Sequence, residues 1–297
     1  MALVRPVLKF FRIPANRFPS MMEQLLFEER LFRETRDNWC IVGYGPAPVP
    51  NIVVGLSGKP DQLLNLDLCK KDGITAVRRF TGGGTVVVDS STVFVSFVCE
   101  KKVLPRKVAH SPPALMKWSA SFYDDVFRRC QNWPERVSQD DTVDAAHKFG
   151  LQEHDYCFGK RKFGGNAESI SKDRWVHHTS FLWDFDDRAM EYLTLPNKRP
   201  AYREDRPHLD FLCRLQEYVP TASEAEPAPA FGDTDGQPPE PAFWHPSDHF
   251  VQAVADSASA IFDVQHVLFE EVEEILAQSK PVSLRSRPIN LDEYSND

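Results

Sequence analysis

The chain has no apolar run approaching the roughly 20 residues that a membrane-spanning helix requires, so no span is expected in it. It also lacks a basic excess. Its 35 lysines and arginines are outnumbered by 43 acids, for a formal net charge of −8. Nucleic-acid binding as the main task is therefore not expected, since such domains usually offer phosphate a surplus of Lys and Arg. Cys40, Cys69, Cys99, Cys130, Cys157 and Cys213 lie far apart and form no Cys-x-x-Cys pair. That spacing argues against a zinc site or disulfide scaffold and fits a reducing compartment. The Gly-x-x-x-x-Gly-Lys-Ser/Thr run of a P-loop does not occur, nor does the Gly-x-Gly-x-x-Gly of a dinucleotide fold. There is no internal repeat.

What is present suits one large domain, or one domain with a small appendage. The 297 residues are 42% hydrophobic, enough to bury a sizeable core. Residues 1–22 carry Arg5, Lys9, Arg12 and Arg17 and no acid, a balance shared with mitochondrial presequences. The favoured reading of Leu8 to Ile13 is the first strand. Ser20 followed by Glu23 is a capping-box pattern opening a helix over 20–36, with Met22, Leu25, Leu26 and Phe32 on one face. Strands are expected at 40–42 and 52–55. A helix over 61–71 should end at Gly73 in a left-handed cap. Strands follow at 74–80, 85–88 and 92–98, then a helix over 113–130. From Tyr156 to Asp184 the pattern is strand, turn, strand, strand, the last with Trp175, His177, Thr179 and Phe181 on one face. Pro207 is placed to open a helix reaching Tyr218. Seven prolines within 220–246 mark a linker or surface excursion. Two helices, at 247–262 and 264–278, and a frayed tail complete the expectation.

Two segments carry the chemistry. Arg78-Arg79-Phe80-Thr81-Gly82-Gly83-Gly84 brings a guanidinium pair to three residues without Cβ atoms. Such glycines reach positive φ, and their exposed amides form an anion-binding concavity. Arg78 and Arg79 alternate on the entering strand, and Arg79 is taken as the one facing the site, where a guanidinium holds a carboxylate or phosphate with two parallel bonds. A plain glycine-rich hairpin turn accounts equally well for the glycines alone. Lys162-Phe163-Gly164-Gly165-Asn166-Ala167 sets an ammonium beside bare backbone. There it can bridge a carboxylate oxygen and an α-phosphate oxygen and stabilise charge as one attacks the other. Lys160 and Arg161 read as a solvated turn. His177 and His178 read as structural side chains before acid–base catalysts, and Cys157 as a small buried strand residue before a nucleophile.

These residues resemble the lipoate–protein ligase A family. Arg78 to Asp89 is similar to its Arg-Arg-x-Ser/Thr-Gly-Gly-Gly-x-Val-x-His-Asp signature, and Lys162 to Ala167 to its Lys-Ile/Phe-Ser/Gly-Gly-Ser/Asn-Ala element. His177-His178-Thr179-Ser180-Phe181-Leu182 is similar to the His-His-Gly-Thr-Leu-Leu strand that follows. Ile52 to Gly55 fits the strand before the first motif, and the likeness covers roughly residues 8–215 in order. The chain departs at Val88, where the family has histidine, at Ser90-Ser91, where Gly-Asn is usual, and at Thr179, where the strand has glycine.

The resemblance implies an α+β fold: a mixed, largely antiparallel sheet flanked by helices, as in biotin ligases and class II aminoacyl-tRNA synthetases. It implies a catalytic domain over 1–219, with 220–246 as the linker and 247–297 as a short helical extension. The implied activity is ATP- and Mg²⁺-dependent activation of lipoate as lipoyl-AMP, followed by transfer to a lysine of a carrier domain of the 2-oxoacid dehydrogenase E2 or glycine-cleavage H-protein type. Lys162 would be catalytic. Arg79, Thr81, Gly82, Gly83 and Gly84 would line the acyl and adenylate pocket, with Thr85, Val86, Val87 and Val88 along the nucleotide and Gly164, Gly165 and Asn166 close by. No metal ligand is assigned. Two alternatives stay open: an ATP-independent octanoyl or lipoyl transferase on the same fold, working through a cysteine, and a non-catalytic acyl-adenylate-binding homologue. A cytoplasmic setting is expected, with the mitochondrial matrix as the alternative.

Overall fold

In the structure, a computed structural model, residues 4–14, 17–46, 49–130, 148–196, 199–219 and 246–295 are described. Most of the proline-rich stretch expected at 220–246 lies outside them. Twelve strands form two sheets among the described residues. The larger contains β1 (Val7–Arg12), β2 (Trp39–Tyr44), β6 (Thr92–Glu100), β7 (Phe149–Gln152), β8 (Asp155–Phe158), β9 (Arg161–Ile170), β10 (Arg174–Leu182) and β11 (Asp263–His266). Their order is β11-β1-β2-β6-β10-β9-β8-β7. Only the β11–β1 and β1–β2 pairs are parallel, which is the expected mixed, largely antiparallel sheet. The smaller sheet orders β12 (Arg287–Ile289), β4 (Thr75–Arg78), β3 (Asn51–Val54) and β5 (Val86–Val88).

Each face of the larger sheet is covered by helices because its strands alternate apolar side chains to both sides. On β10, Trp175 and Phe181 enter a core shared with helices Pro112–Arg129 and Asp248–Ile261, while Val176 joins the opposite core with Phe27 and Leu31 of helix Met21–Glu34. The face expected for Trp175, His177, Thr179 and Phe181 is thus the one observed. A third cluster joins Met21 and Leu25 to Val53, Val77 and Val88 of the small sheet and to Phe94 of β6. It seats the small sheet, and with it the glycine turn after β4, beside the centre of the large one.

Ser20 caps its helix as expected, accepting the Glu23 amide at 3.4 Å, and Gly73 has φ 65°. Residues 61–71 instead form two short helices, Pro60–Leu63 and Leu66–Lys71. Leu64 is drawn out to pair with Leu193, and Asn65 re-caps the second helix by accepting the Leu68 amide. The helix expected from Pro207 to Tyr218 is also absent. His208–Phe211 makes one turn, then Leu212 pairs with Lys162, and the Cys213 amide donates to the Lys162 carbonyl at 2.9 Å. Tertiary pairing with β9 outcompetes local helix formation there.

Beyond residue 246 both expected helices occur, Asp248–Ile261 and Phe269–Ala277, but two strands accompany them. β11 extends the edge of the large sheet and β12 pairs with β4, so residues 287–289 are not frayed. The link between tail and body is Glu29, fully buried on helix Met21–Glu34. It accepts the Arg33 guanidinium at 2.6 Å and the amides of Arg285 and Ser286 at 2.9 and 2.8 Å. Arg33 is a local partner, but the two amides are 256 and 257 residues away and leave no local pattern to read. Among the described residues no helix is long and apolar enough to cross a membrane.

Candidate active site

Strand β9 brings the two motifs together. The Gly82 amide donates to the Glu168 carbonyl at 3.1 Å. Gly83 has φ 109°, and a Cβ there would stand 2.7 Å from the Asn166 carbonyl oxygen and 3.4 Å from the Ala167 Cα. The turn therefore lies against the stretch of β9 that follows Lys162. Gly55 packs under it so closely that a Cβ would reach within 2.2 Å of the Gly83 carbonyl oxygen. Both glycines are dictated by close backbone approach. Around Gly84, by contrast, a Cβ would meet nothing within 4 Å.

The two arginines hold this turn from inside. Arg79 is 5% exposed and donates to the carbonyls of Val53 at 3.3 Å, Gly82 at 3.1 Å and Gly84 at 2.7 Å. Burial pushes its guanidinium down to about 10, still charged at neutral pH. Arg78 donates to the carbonyls of Gly55, Leu56 and Gly58. Arg79, expected to face a ligand, instead organises the loop. By gathering Gly82 and Gly84 carbonyls inward, it leaves Gly83 and Gly84 exposed at the surface. Thr81 is buried, its carbonyl accepting the Leu56 amide.

A bulge aims the lysine. On β8, Tyr156 stands opposite Gly164 and Cys157 opposite Lys162, so Phe163 is the extra residue. In consequence Phe163 and Gly164 both face the aromatic core, where a Cβ on Gly164 would sit 3.1 Å from the Tyr156 ring. Gly165 faces the other way, and a Cβ there would lie 3.5 Å from Lys162 Nζ and 3.6 Å from Ser180 Oγ. Of the pair, Gly165 is the one beside the ammonium. Lys162 Nζ donates to Asp155 Oδ1 at 2.8 Å, its side chain 21% exposed. Asp155 Oδ2 accepts the Tyr202 hydroxyl at 2.8 Å.

The remaining expected site residues divide. Val86 packs against, and Val88 within, the cluster that joins the small sheet to the large one. Val87 points to the other side, into the core with Ile52, Val54 and Tyr192. A strand cannot present four consecutive side chains to one ligand, so Val87 is separated from the site. Thr85 Oγ1 is buried with no hydrogen-bond partner. Asn166 turns its side chain away from Lys162, accepting the Thr179 hydroxyl at 2.8 Å and donating to the His154 carbonyl at 3.1 Å. Thr179, where the ligase motif has glycine, is thereby the partner of Asn166.

The paired histidines are buried and hydrogen-bonded. His177 is fully buried, with Nδ1 2.9 Å from Glu168 Oε1 and Nε2 3.3 Å from the Tyr156 hydroxyl. His178 Nδ1 lies 2.9 Å from both Glu28 and Ser96 Oγ. Cys157 is likewise buried, and desolvation pushes its thiol up to about 12 despite the Tyr202 hydroxyl beside it. It carries no thiolate at neutral pH. The segment over the lysine was not anticipated. Besides Tyr202 it supplies buried Arg203, and His208, which burial, then Arg203 and Lys162, hold down to about 4 and hence neutral. The sequence signal for it was faint: aromatic and basic residues between prolines.

A cavity of about 560 Å³ lined by Asp72, Asp89, Ser91, Asp186, Arg188 and Tyr192 lies at the far end of the small sheet and includes none of the motif residues before Asp89. It is set aside as the reaction site.

A family model described as the lipoyl protein ligase A/B catalytic domain matches residues 20–228. Among individual proteins, the chain is 26% identical over 242 residues to the inactive lipoate–protein ligase 2 of Plasmodium falciparum, covering 67% of this chain and 62% of that one. It is 39% identical over 144 residues to the human mitochondrial lipoyl amidotransferase, covering 48% and 33%. The chain thus spans less than two thirds of either relative's length. A crystal structure of lipoate–protein ligase A bound with ATP superposes with a TM-score of 0.57 over 93% of both chains at 16% identity, a likeness of fold.

Proposed function

The chain belongs to the lipoyl protein ligase A/B catalytic-domain family, and from that premise we propose that it joins a lipoyl or related acyl group to a lysine of a lipoyl carrier domain, through an acyl adenylate made from ATP. One observation carries the reading: a single ammonium, aimed by the β9 bulge and spaced by Gly165, beside a glycine turn docked on the same strand. A lysine has three N–H donors. Asp155 takes one, and two are left for the substrate carboxylate and the α-phosphate. As a carboxylate oxygen attacks the α-phosphorus, pyrophosphate leaves, and charge growing on the phosphoryl oxygens is met by Lys162. The carrier lysine then attacks the acyl carbon, and AMP leaves with the former carboxylate oxygen. The exposed backbone at Gly83 would face the anionic groups.

Magnesium fits this arrangement as a companion of the nucleotide. Mg²⁺ keeps several waters and binds through one or two carboxylates plus phosphates. Among the described residues no group of three or more His, Cys, Asp or Glu could hold the ion, and Asp155 already has Lys162 and Tyr202 on its two oxygens, so the ion would be held by the nucleotide phosphates and water, where it would neutralise phosphate charge.

The activity named for the human relative supports a second reading, amide transfer from an existing lipoyl donor without ATP. A cysteine-bound intermediate does not suit this chain, because Cys157 is buried and its thiol is protonated. Cys157→Ser is accordingly expected to retain activity within a few-fold and to lose no acyl adduct by intact-mass analysis. The deciding experiment is ATP–pyrophosphate exchange with lipoate and octanoate, alongside mass analysis of a lipoyl domain incubated with the protein. Acid-dependent exchange plus a mass gain supports the ligase. A mass gain only from preformed lipoyl-AMP or another lipoyl donor supports transfer. Neither exchange nor mass gain with any donor would sink both readings.

A further inference from the structure

Asp155 is the acceptor at which two lines of donors meet, Lys162 from one side and Tyr202, with Cys157 behind it, from the other. Cys157 and the Tyr202 oxygen are 3.2 Å apart, and the Tyr202 hydroxyl lies 2.8 Å from Asp155 Oδ2. Asp155 Oδ1 lies 2.8 Å from Lys162 Nζ. The directions follow from chemistry. A carboxylate only accepts, so the tyrosine proton goes to Asp155, and the tyrosine oxygen is left to accept the thiol proton of Cys157. Both Asp155 oxygens are thereby engaged from different directions, which fixes the plane of the carboxyl group and the side from which it meets the ammonium.

The four residues come from three elements. Asp155 and Cys157 lie on β8 and Lys162 on β9, while Tyr202 belongs to the turn Ala201–Arg203 that crosses over them. That turn is itself anchored. The Ala201 amide donates to Glu153 at 2.6 Å, Arg206 donates to the carbonyls of Tyr202 at 2.8 Å and Lys160 at 3.1 Å, and the Tyr202 ring lies 5.4 Å from that of Phe211. A long lysine side chain otherwise samples many rotamers, and freezing it costs free energy when a ligand binds.

We propose that Asp155 and Tyr202 are positioning residues for Lys162. They restrict the lysine to the rotamer in which its two remaining donors bridge the carboxyl and phosphoryl groups of an acyl adenylate. Tyr202 acts only through Asp155, and Asp155 through Lys162. The inference rests on the acyl-adenylate reading above and adds to it the residues that prepare the cation.

The test is a binding cycle on the full chain with a non-hydrolysable lipoyl-sulfamoyl-adenosine probe, titrated calorimetrically. Tyr202→Phe removes the hydroxyl and keeps the ring packing. It is expected to weaken the probe at least threefold and up to about thirtyfold, the range set by one ordered lysine side chain. In a Lys162→Ala background the same change is expected to have no further effect. Asp155→Asn should behave in the same way, with the larger loss. Equal losses in both backgrounds would mean that Tyr202 merely supports the fold, and would overturn the inference while leaving the acyl-adenylate reading standing. Undiminished binding by Tyr202→Phe would overturn it as well. Failure of the unaltered protein to bind the probe would remove the acyl-adenylate reading, and this inference with it.

Discussion

Lys162→Ala is expected to lower acyl-adenylate formation by about 10²–10³-fold, the usual consequence of deleting one preorganised donor to developing transition-state charge. The argument is geometric. The β8–β9 register skips Phe163, so Lys162 and Gly165 share a face, and a Cβ on Gly165 would stand 3.5 Å from the ammonium. Asp155 and Ser180 lie near it, but neither carries a positive charge to replace it. Single-turnover measurement of lipoyl-AMP from lipoate and ATP would report the loss. The substitution frees Asp155 of its cation while leaving its bond to Tyr202, at 13% side-chain exposure. A stability cost of about 1–3 kcal/mol is therefore expected, less than the usual total stability of a domain. A Lys162→Ala variant that keeps its midpoint of thermal unfolding within a few degrees, yet forms the adenylate at the unaltered rate, would refute the assignment. Lys162→Arg is expected to recover little, since a planar fork does not replace a compact three-donor ammonium.

Gly83→Ala should damage both stability and activity, and Gly84→Ala neither. At Gly83 the backbone has φ 109°, a conformation that costs an L side chain on the order of 1–3 kcal/mol. A Cβ there would also press on the Asn166 carbonyl and the Arg79 guanidinium, each at 2.7 Å. The carbonyl belongs to a residue held against Thr179 in the β9–β10 pairing, so the turn must lift away. The Gly82-to-Glu168 bond and Arg79's grip on the Gly82 and Gly84 carbonyls weaken with it. A drop of at least tenfold in kcat/KM is expected, together with a lower unfolding midpoint. Gly84 lacks a positive φ and has open space around it, so alanine there is expected to be neutral in both assays. Equal sensitivity at the two positions would contradict the docking of the turn on β9.

Much of this was legible before any coordinates. The alternation Trp175, His177, Thr179, Phe181 announced its own facing, because a strand's two-residue period is written in its sequence. The Ser20 cap and the left-handed Gly73 were equally local. The misses have a common cause. Residues 207–218 had a helical pattern but were drawn out by pairing with Lys162, and residues 61–71 were split by the pairing of Leu64 with Leu193. Tertiary hydrogen bonds outweighed weak local preference.

The amino-acid order by itself determined the family and the α+β class, because these reside in runs of adjacent residues whose spacing is a matter of covalent geometry. Only the tertiary structure decided how those residues are used. Of three consecutive glycines it made Gly83 obligatory. Of the pair after Lys162 it gave Gly165 to the site and Gly164 to the core. It made Arg79 the scaffold of the turn, and it brought Tyr202 to Asp155, the partner of Lys162. Each outcome depends on strand register, on one bulge, and on contacts between residues tens of positions apart, which no local pattern encodes.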